Sequence, residues 1–388
     1  MMDVKIRIGD VELSNPFIVA SGPPGVSGKS LKRMAEGNPG AVVTKSIGVV
    51  PSPGQKLSLS HKTKDLYSLV LTDPWSAHSF EEWCEKEIAI AKEGGVPVIL
   101  SLQAVTDTPA EDTARMAPIA VEAGADMIEL SAFGSSPNVV TGSGIGAVQD
   151  PKRTYEIIRA AKKAVKVPVI GKLLPEPSNL IDLVKAVEEG GADAIASRDT
   201  VFPAISFDIY TRQPKVARTV GNWMPEVSGR AIKETALAYV VEIFKRTKLP
   251  IIGIGGVINW QDAAEMIIAG ATGIGVCTAA MVDGPSIFPK LVKGLYEYLQ
   301  EQGITMEELR GSGIEGMEKV NAIALQTLRV SIDPDACTLC DVCETVCPVQ
   351  AVRRADTHCY IVDEECTKCT MCVNYCPSDA ISTSVLKD

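Results

Sequence analysis

PIIGIGGVINWQDAAEMIIAGATGIGVC, residues 250–277, reads as one complete strand–helix–strand unit. PIIGIG (250–255) is a short, nearly continuous apolar run, as a strand buried on both faces requires. An amphipathic stretch follows and stops at a glycine-rich turn, IAGATG, before a second run, GIGVC (273–277). Six more runs lie toward the N-terminus: FIVAS (17–21), AVVTK (41–45), PVILSL (97–102), MIELS (127–131), PVIGKL (168–173) and AIAS (194–197). Glycine-rich turns such as AKEGGVP, EAGAD and EEGGAD precede several of them. Eight βα units over about 280 residues predict an α/β fold, a (β/α)8 TIM barrel. An open doubly wound sheet would use the same strands, but their count and regularity favour the closed barrel. VKIRIGDVEL (4–13) predicts a small hairpin closing the barrel bottom.

At 388 residues the chain has room for one large domain and a small one. It is 46% hydrophobic and 22% charged, as ordinary globular proteins are. A formal net charge of −10 argues against a nucleic-acid or anionic-membrane partner. No run approaches about eighteen apolar residues, so no membrane span is expected. MMDVKIRIGDVEL lacks the apolar core of a signal peptide, and a cytoplasmic location is expected. The loops at 47–78, 132–150 and 199–227 are long and rich in Gly, Pro, Ser and Thr. In a barrel they lie on the C-terminal face, where active sites are built. Residues 285–330 read as helices ending in EKVNAIALQTLRVSID. The expected organisation is a barrel over 1–300, a helical linker over 301–330 and a small module over 331–388.

That module holds nine of the eleven cysteines; only Cys84 and Cys277 precede residue 337. Two runs share one spacing: Cys337-x2-Cys340-x2-Cys343-x3-Cys347-Pro348 and Cys366-x2-Cys369-x2-Cys372-x3-Cys376-Pro377. This is the bacterial-ferredoxin pattern for two [4Fe–4S] clusters, in which the fourth cysteine of each run serves the other cluster. Cys337, Cys340, Cys343 and Cys376 are therefore assigned to one cluster, and Cys366, Cys369, Cys372 and Cys347 to the second. Zinc also accepts four thiolates, but the repeated fourth cysteine before proline argues against it. Cys359 fits neither run and reads as a hairpin or buried thiol. Such thiols need a reducing environment.

Clusters move one electron each, whereas most organic redox steps move two, and a flavin converts between them. Gly142–Ala147 (GSGIGA) looks like a dinucleotide loop but sits in a long loop instead of a strand–turn–helix. No NAD site is expected. Backbone N–H groups of IGIGG (252–256) and VCT (276–278), after late strands, suit a phosphate. Lysines inside apolar strand ends, Lys45 in VVTKS and Lys172 in VIGKLL, suit a site better than a surface ion pair.

LSNPFIVASGP (13–23), VVTKS (42–46), VPVIGKLLP (167–175), VSGRAIKETALAYV (227–240), IIGIGGVINWQDAAEMIIAGAT (251–272) and GVCTA (275–279) occur in an order that resembles class 1 dihydroorotate dehydrogenases and the flavin domain of dihydropyrimidine dehydrogenase. The resemblance covers nearly all of residues 1–300 and, with the tail, is similar to the bacterial pyrimidine-reducing catalytic subunit. It implies bound FMN. Ala20, Ser21 and Gly22 would line the flavin, and Lys45 and Ser46 would meet its ring and ribityl region. Lys45 and Lys172 would stabilise negative charge on the reduced ring. Gly229, Gly255, Gly256, Cys277 and Thr278 match the phosphate end.

The substrate half departs from that pattern. Where the family has Asn-x-Ser-Cys-Pro after the fourth strand, this chain has Glu129-Leu130-Ser131-Ala132-Phe133. Its acid/base cysteine is Ala132 and its asparagine is Glu129. After the sixth strand, Asn-Thr becomes Asp199-Thr200, preceded by Arg198. Glu129, Ser131, Asp199 and Lys172 are the candidate catalytic residues. His61, Asp73, Trp75, His78, Asp208, Tyr210 and Arg212 are further loop residues, each read first as solvated. The expected protein is an FMN- and iron–sulfur-dependent oxidoreductase acting on a small molecule other than dihydroorotate. A ferredoxin or a flavoprotein subunit is its expected electron partner, within a homo- or hetero-oligomer. Two alternatives stay open: an electron-transfer subunit without substrate chemistry, and a divergent dihydropyrimidine dehydrogenase subunit.

Overall fold

Eight parallel strands close on themselves in the first of two units, Met1–Ile314; the second is Glu315–Asp388. The computed structural model describes all residues except 1–3, 53–58, 64–65, 73–74, 104–105, 132–148, 175–178, 199, 202, 217–224, 323–327 and 386–388.

A hairpin comes first, β1 (Ile6–Ile8) against β2 (Val11–Leu13). β3 (Phe17–Val19) and β4 (Ala41–Val43) begin the ring. β5 (Ile47–Gly48), β6 (Leu59–Lys62) and β7 (Ser68–Thr72) lie in the long loop beyond β4. The ring resumes with β8 (Val98–Gln103), β9 (Met127–Leu130), β10 (Val169–Lys172) and β11 (Ala194–Ala196). β12 (Glu226–Gly229) leaves the ring to pair antiparallel with β7. β13 (Ile251–Ile254) and β14 (Gly273–Val276) complete it. The order is β4-β3-β14-β13-β11-β10-β9-β8, and β8 pairs back onto β4. The eight apolar runs of the sequence are these strands, and their closed ring is a (β/α)8 barrel.

Alternation along each strand explains the two cores. Ile18, Val43, Ile99, Met127, Ile170, Ala194 and Ile252 pack inside the ring with Ile6, Ile8 and Leu13 of the hairpin. The hairpin therefore plugs the N-terminal end, with Gly9 against Pro168, just ahead of β10. The opposite parity, including Val19, Val42, Val98, Leu100, Ile128 and Ile251, faces the helices. Those helices start on local signals. Asp150 accepts the Arg153 N–H at 2.8 Å with proline at the first helical position of Pro151–Ala164. Asn259 and Asp262 form a reciprocal capping box on Trp260–Ile268.

Two of the long loops read from the sequence combine on the C-terminal face. β6, β7 and β12 form a three-stranded sheet, and Val201 bridges to Val227. Beyond the barrel, helices Ile287–Gln302, Met306–Leu309 and Ser312–Ala322 fit the helical reading of 285–330, but its end does not. Leu328–Ile332 is a strand, β15, because its alternating residues pair in register with β18 (Ile381–Val385) and bury Val330. β16 (Val352–Arg354) pairs with β17 (Cys359–Ile361) in the same unit. Among the described residues no helix is long and apolar enough to cross a membrane.

Candidate functional site

The parity that points Ile99, Met127 and Ile170 inward carries Ser101, Glu129 and Lys172, two residues on, into the upper layer of the barrel. Glu129 is 2% exposed and Lys172 3%. Charges this deep are costly unless hydrogen-bonded or paired. The hydroxyl of Ser101 donates to Glu129 Oε1 at 2.9 Å. Ser101 Oγ lies 3.4 Å from Ser46 Oγ, which lies 3.4 Å from Ser21 Oγ. Polar groups at the tops of β3, β4, β8 and β9 are thus brought into one line. Lys45 is buried beside it, its N–H donating to Gly25 O at 2.8 Å. Ser131 is buried, held by its N–H to Leu102 O at 2.9 Å.

At the other side of the mouth, Gly255 and Gly256 follow β13, while Cys277 and Thr278 follow its neighbour β14. Gly229, at the end of β12, joins them: Ser228 Oγ is 3.0 Å from Thr278 Oγ1. The backbone demands glycine here. Gly229 has φ +83°, and a Cβ would run into the Tyr67 carbonyl; Gly256, at φ +79°, would meet Lys233. The five residues proposed for a phosphate therefore share one end of the mouth. Serines and buried lysines at one end, with turned glycine backbone at the other, suit the polar ring and single phosphate of FMN.

Arg198 is buried, donates to Thr235 Oγ1 at 2.8 Å and stacks over Tyr239. Asp199, Ala132 and Gly142–Ala147 lie outside the described residues, as do Asp73 and the His61 side chain. Trp75 Nε1 donates to Val50 O at 2.8 Å, and His78 Nδ1 lies 3.5 Å from Glu82 Oε2. Asp208 accepts the Thr211 and Tyr210 N–H groups, which hold its carboxyl below the usual range. Tyr210 and Arg212 are exposed. These contacts make Trp75, His78 and Asp208 parts of their own loops.

Two polar residues of the C-terminal face escaped the sequence reading. Gln149 is fully buried; its Nε2 donates to Lys172 O at 3.4 Å and its Oε1 accepts Leu174 N–H at 2.9 Å. It clamps the end of β10 from a loop without any local motif. Glu226, buried on β12, accepts from Thr200 Oγ1 at 2.5 Å. The pairing of β12 with β7 and the bridge from Val201 to Val227 place it there.

The second unit holds two cysteine-lined cavities. Cys337, Cys340, Cys343 and Cys376 line one; Cys347, Cys366, Cys369 and Cys372 line the other. Each takes three cysteines from one run and the fourth from the opposite run. Backbone donors point at the sulfurs: Ala351 N to Cys347 Sγ at 3.2 Å and Ala380 N to Cys376 Sγ at 3.3 Å. The N–H groups of Cys359 and Leu339 hold the Cys337 thiol below its ordinary pKa, whereas burial pushes Cys343 and Cys372 up. Four cysteines of the two runs around each cavity, with N–H donors turned to sulfur, suit a cubane.

Residues 3–299 match the family described as dihydroorotate dehydrogenase, and residues 329–377 match a 4Fe-4S dicluster domain. The catalytic subunit of dihydroorotate dehydrogenase B (NAD(+)) from Methanothermobacter thermautotrophicus is 34% identical over 309 residues, 79% of this chain and 97% of that protein. The protein of the same description from Methanocella arvoryzae is 36% identical over 312 residues, 80% and 97% of the two chains. That from Thermoplasma volcanium is 36% identical over 316 residues, 81% and 100%.

Proposed function

The chain belongs to the dihydroorotate dehydrogenase family of flavin-dependent oxidoreductases, and from that premise we propose that it passes electrons between a protein partner and a small molecule held at the barrel mouth. The observation that carries this reading is one chain combining a flavin-family barrel, with buried ions at its mouth, and a unit with two four-cysteine cavities.

Bound FMN would supply two-electron redox chemistry, and two [4Fe–4S] clusters would supply one-electron steps. Ala20, Ser21, Gly22, Lys45 and Ser46 hold the ring side, and Gly229, Gly255, Gly256, Cys277 and Thr278 hold the phosphate. Lys45 and Lys172 place positive charge beside the ring. Ser131 orients the substrate, and Glu129 and Asp199 accept hydrogen bonds from it. Cys337, Cys340, Cys343 and Cys376 hold one cluster; Cys347, Cys366, Cys369 and Cys372 hold the other. The barrel (1–300), linker (301–330) and module (331–388) divide this work. A ferredoxin or a flavoprotein subunit is the partner we assign, in an oligomer working in the reducing cytoplasm.

The substrate class follows from Glu129. An ionised carboxylate accepts hydrogen bonds and donates none. It would repel the carboxylate of dihydroorotate and suits a substrate rich in N–H or O–H groups, or a cation. A second reading, dihydroorotate itself, is favoured by the relatives, which are described as dihydroorotate dehydrogenases. The test is anaerobic turnover of dihydroorotate with a dye acceptor, on protein whose flavin and iron have been measured. Flavin that dithionite reduces but dihydroorotate does not supports the first reading. Steady turnover establishes the second and removes the exclusion assigned to Glu129. Protein without flavin overturns both.

A further inference from the structure

The cluster unit is built twice on a spacing of 29 residues, from Cys337 to Cys366 and from Cys347 to Cys376. The backbone repeats in detail. Leu339, Asp341 and Gln350 have left-handed φ values of 55°, 60° and 55°, and Lys368, Thr370 and Asp379 repeat them at 58°, 60° and 51°. The N–H donors of Ala351 and Ala380 to Cys347 and Cys376 are one such pair. The apolar lining repeats too: Ile332, Ala380 and Ile381 in the first cavity answer to Ile361, Ala351 and Val352 in the second.

Thr370 and Met371 line only the second cavity, and at two positions that line both cavities the residue type changes, both times in the same sense. Cys359 lines the first cavity where Val330 lines the second, and Ser378 lines the first where Val349 lines the second. Cys359 is 1% exposed on β17, and its N–H donates to Cys337 Sγ at 3.5 Å. It lines the same cavity as Cys337 and Cys343. Ser378 Oγ lies 3.6 Å from Cys376 Sγ. One cavity thus gains two side-chain donors that a common backbone does not provide, and one of them has no access to water.

We propose that Cys359 and Ser378 are positioning residues for the cluster held by Cys337, Cys340, Cys343 and Cys376, donating S–H and O–H hydrogen bonds to its sulfurs and so raising its reduction potential. The inference rests on the two-cluster reading. Reduction adds negative charge to the cluster, and a donor to sulfur stabilises that form more than the oxidised one. The valines at the equivalent positions donate nothing, so the second cluster lacks this contribution. These two side chains make the pair of clusters inequivalent.

The experiment is an anaerobic redox titration of the full-length holoprotein followed by electron paramagnetic resonance, with iron counted in every sample. In Cys359→Val and in Ser378→Val, one of the two potentials is expected to move negative while the other stays in place. Cys359→Ser keeps a donor and is expected to move less than Cys359→Val. Val349→Ser, in the otherwise native protein, is expected to move the second cluster positive. Potentials unchanged in both valine variants at full iron content overturn the proposal. So does loss of one cluster in both Cys359→Val and Cys359→Ser, which would make Cys359 a ligand. A wild-type protein with a single cluster signal and half the iron instead overturns the two-cluster reading underneath it.

Discussion

Ser101→Ala removes a hydroxyl that is fully buried and donates to Glu129 Oε1 at 2.9 Å. Nothing from solvent can replace it, because Glu129 is itself 2% exposed. A hydrogen bond to a charged group contributes about 1.5–3 kcal/mol. The methylene remains, so little cavity forms and the polar loss dominates. The expected cost to the barrel is therefore about 2 kcal/mol, roughly thirtyfold in its unfolding equilibrium. For a unit of this size that is about 3–5 °C in Tm. Flavin fluorescence during denaturation is the suitable assay, since release of flavin reports the barrel and not the cluster unit. Glu129→Gln supplies the second arm of a double-mutant cycle. Without the charge the serine makes an ordinary hydrogen bond, so the two substitutions should couple by about 1 kcal/mol. A Ser101→Ala cost under about 0.5 kcal/mol, or strict additivity with Glu129→Gln, would refute the reasoning that this hydroxyl holds the carboxylate in place.

The anaerobically purified protein should carry about eight irons, and Cys347→Ser should strip the cluster of the Cys366 run while sparing the other; equal damage to both signals contradicts crosswise ligation. Acid-released flavin should be FMN at one per chain. Gly229→Ala, strained at φ +83° and driven into the Tyr67 carbonyl, should lower FMN retention by about tenfold or more; unchanged flavin content would remove Gly229 from the phosphate end. Burial, with help from Glu81 and Glu85, pushes the Cys84 thiol up to about 11. Only the thiolate reacts, so alkylation of Cys84 should be slow at pH 8 and climb about tenfold per pH unit through pH 10; a plateau near pH 9 would contradict this.

The eight barrel strands were legible because each is short, apolar on both faces and bounded by its own turn, so its signal lies within a few residues of itself. The cysteine runs were legible for the same reason: three ligands two residues apart belong to one loop. Leu328–Ile332 was misread because five residues at the end of a helical stretch carry too little pattern, and pairing with Ile381–Val385, some fifty residues away, decides them. Glu129 and Lys172 could be placed at strand ends from the sequence. That Ser21, Ser46, Ser101 and Glu129 stand in one line could not, since they come from four strands whose register is set only when the ring closes. Gln149 and Glu226 carry no local motif; their roles exist only across loop contacts. Cys359 shows the division most clearly. By spacing it fits neither cysteine run, and only the pairing of Val352–Arg354 with Cys359–Ile361 turns it into the cavity of Cys337 and Cys343. A sequence writes its secondary structure in neighbouring residues, whereas the meeting of distant side chains is fixed by chain closure and strand register, which no single segment contains.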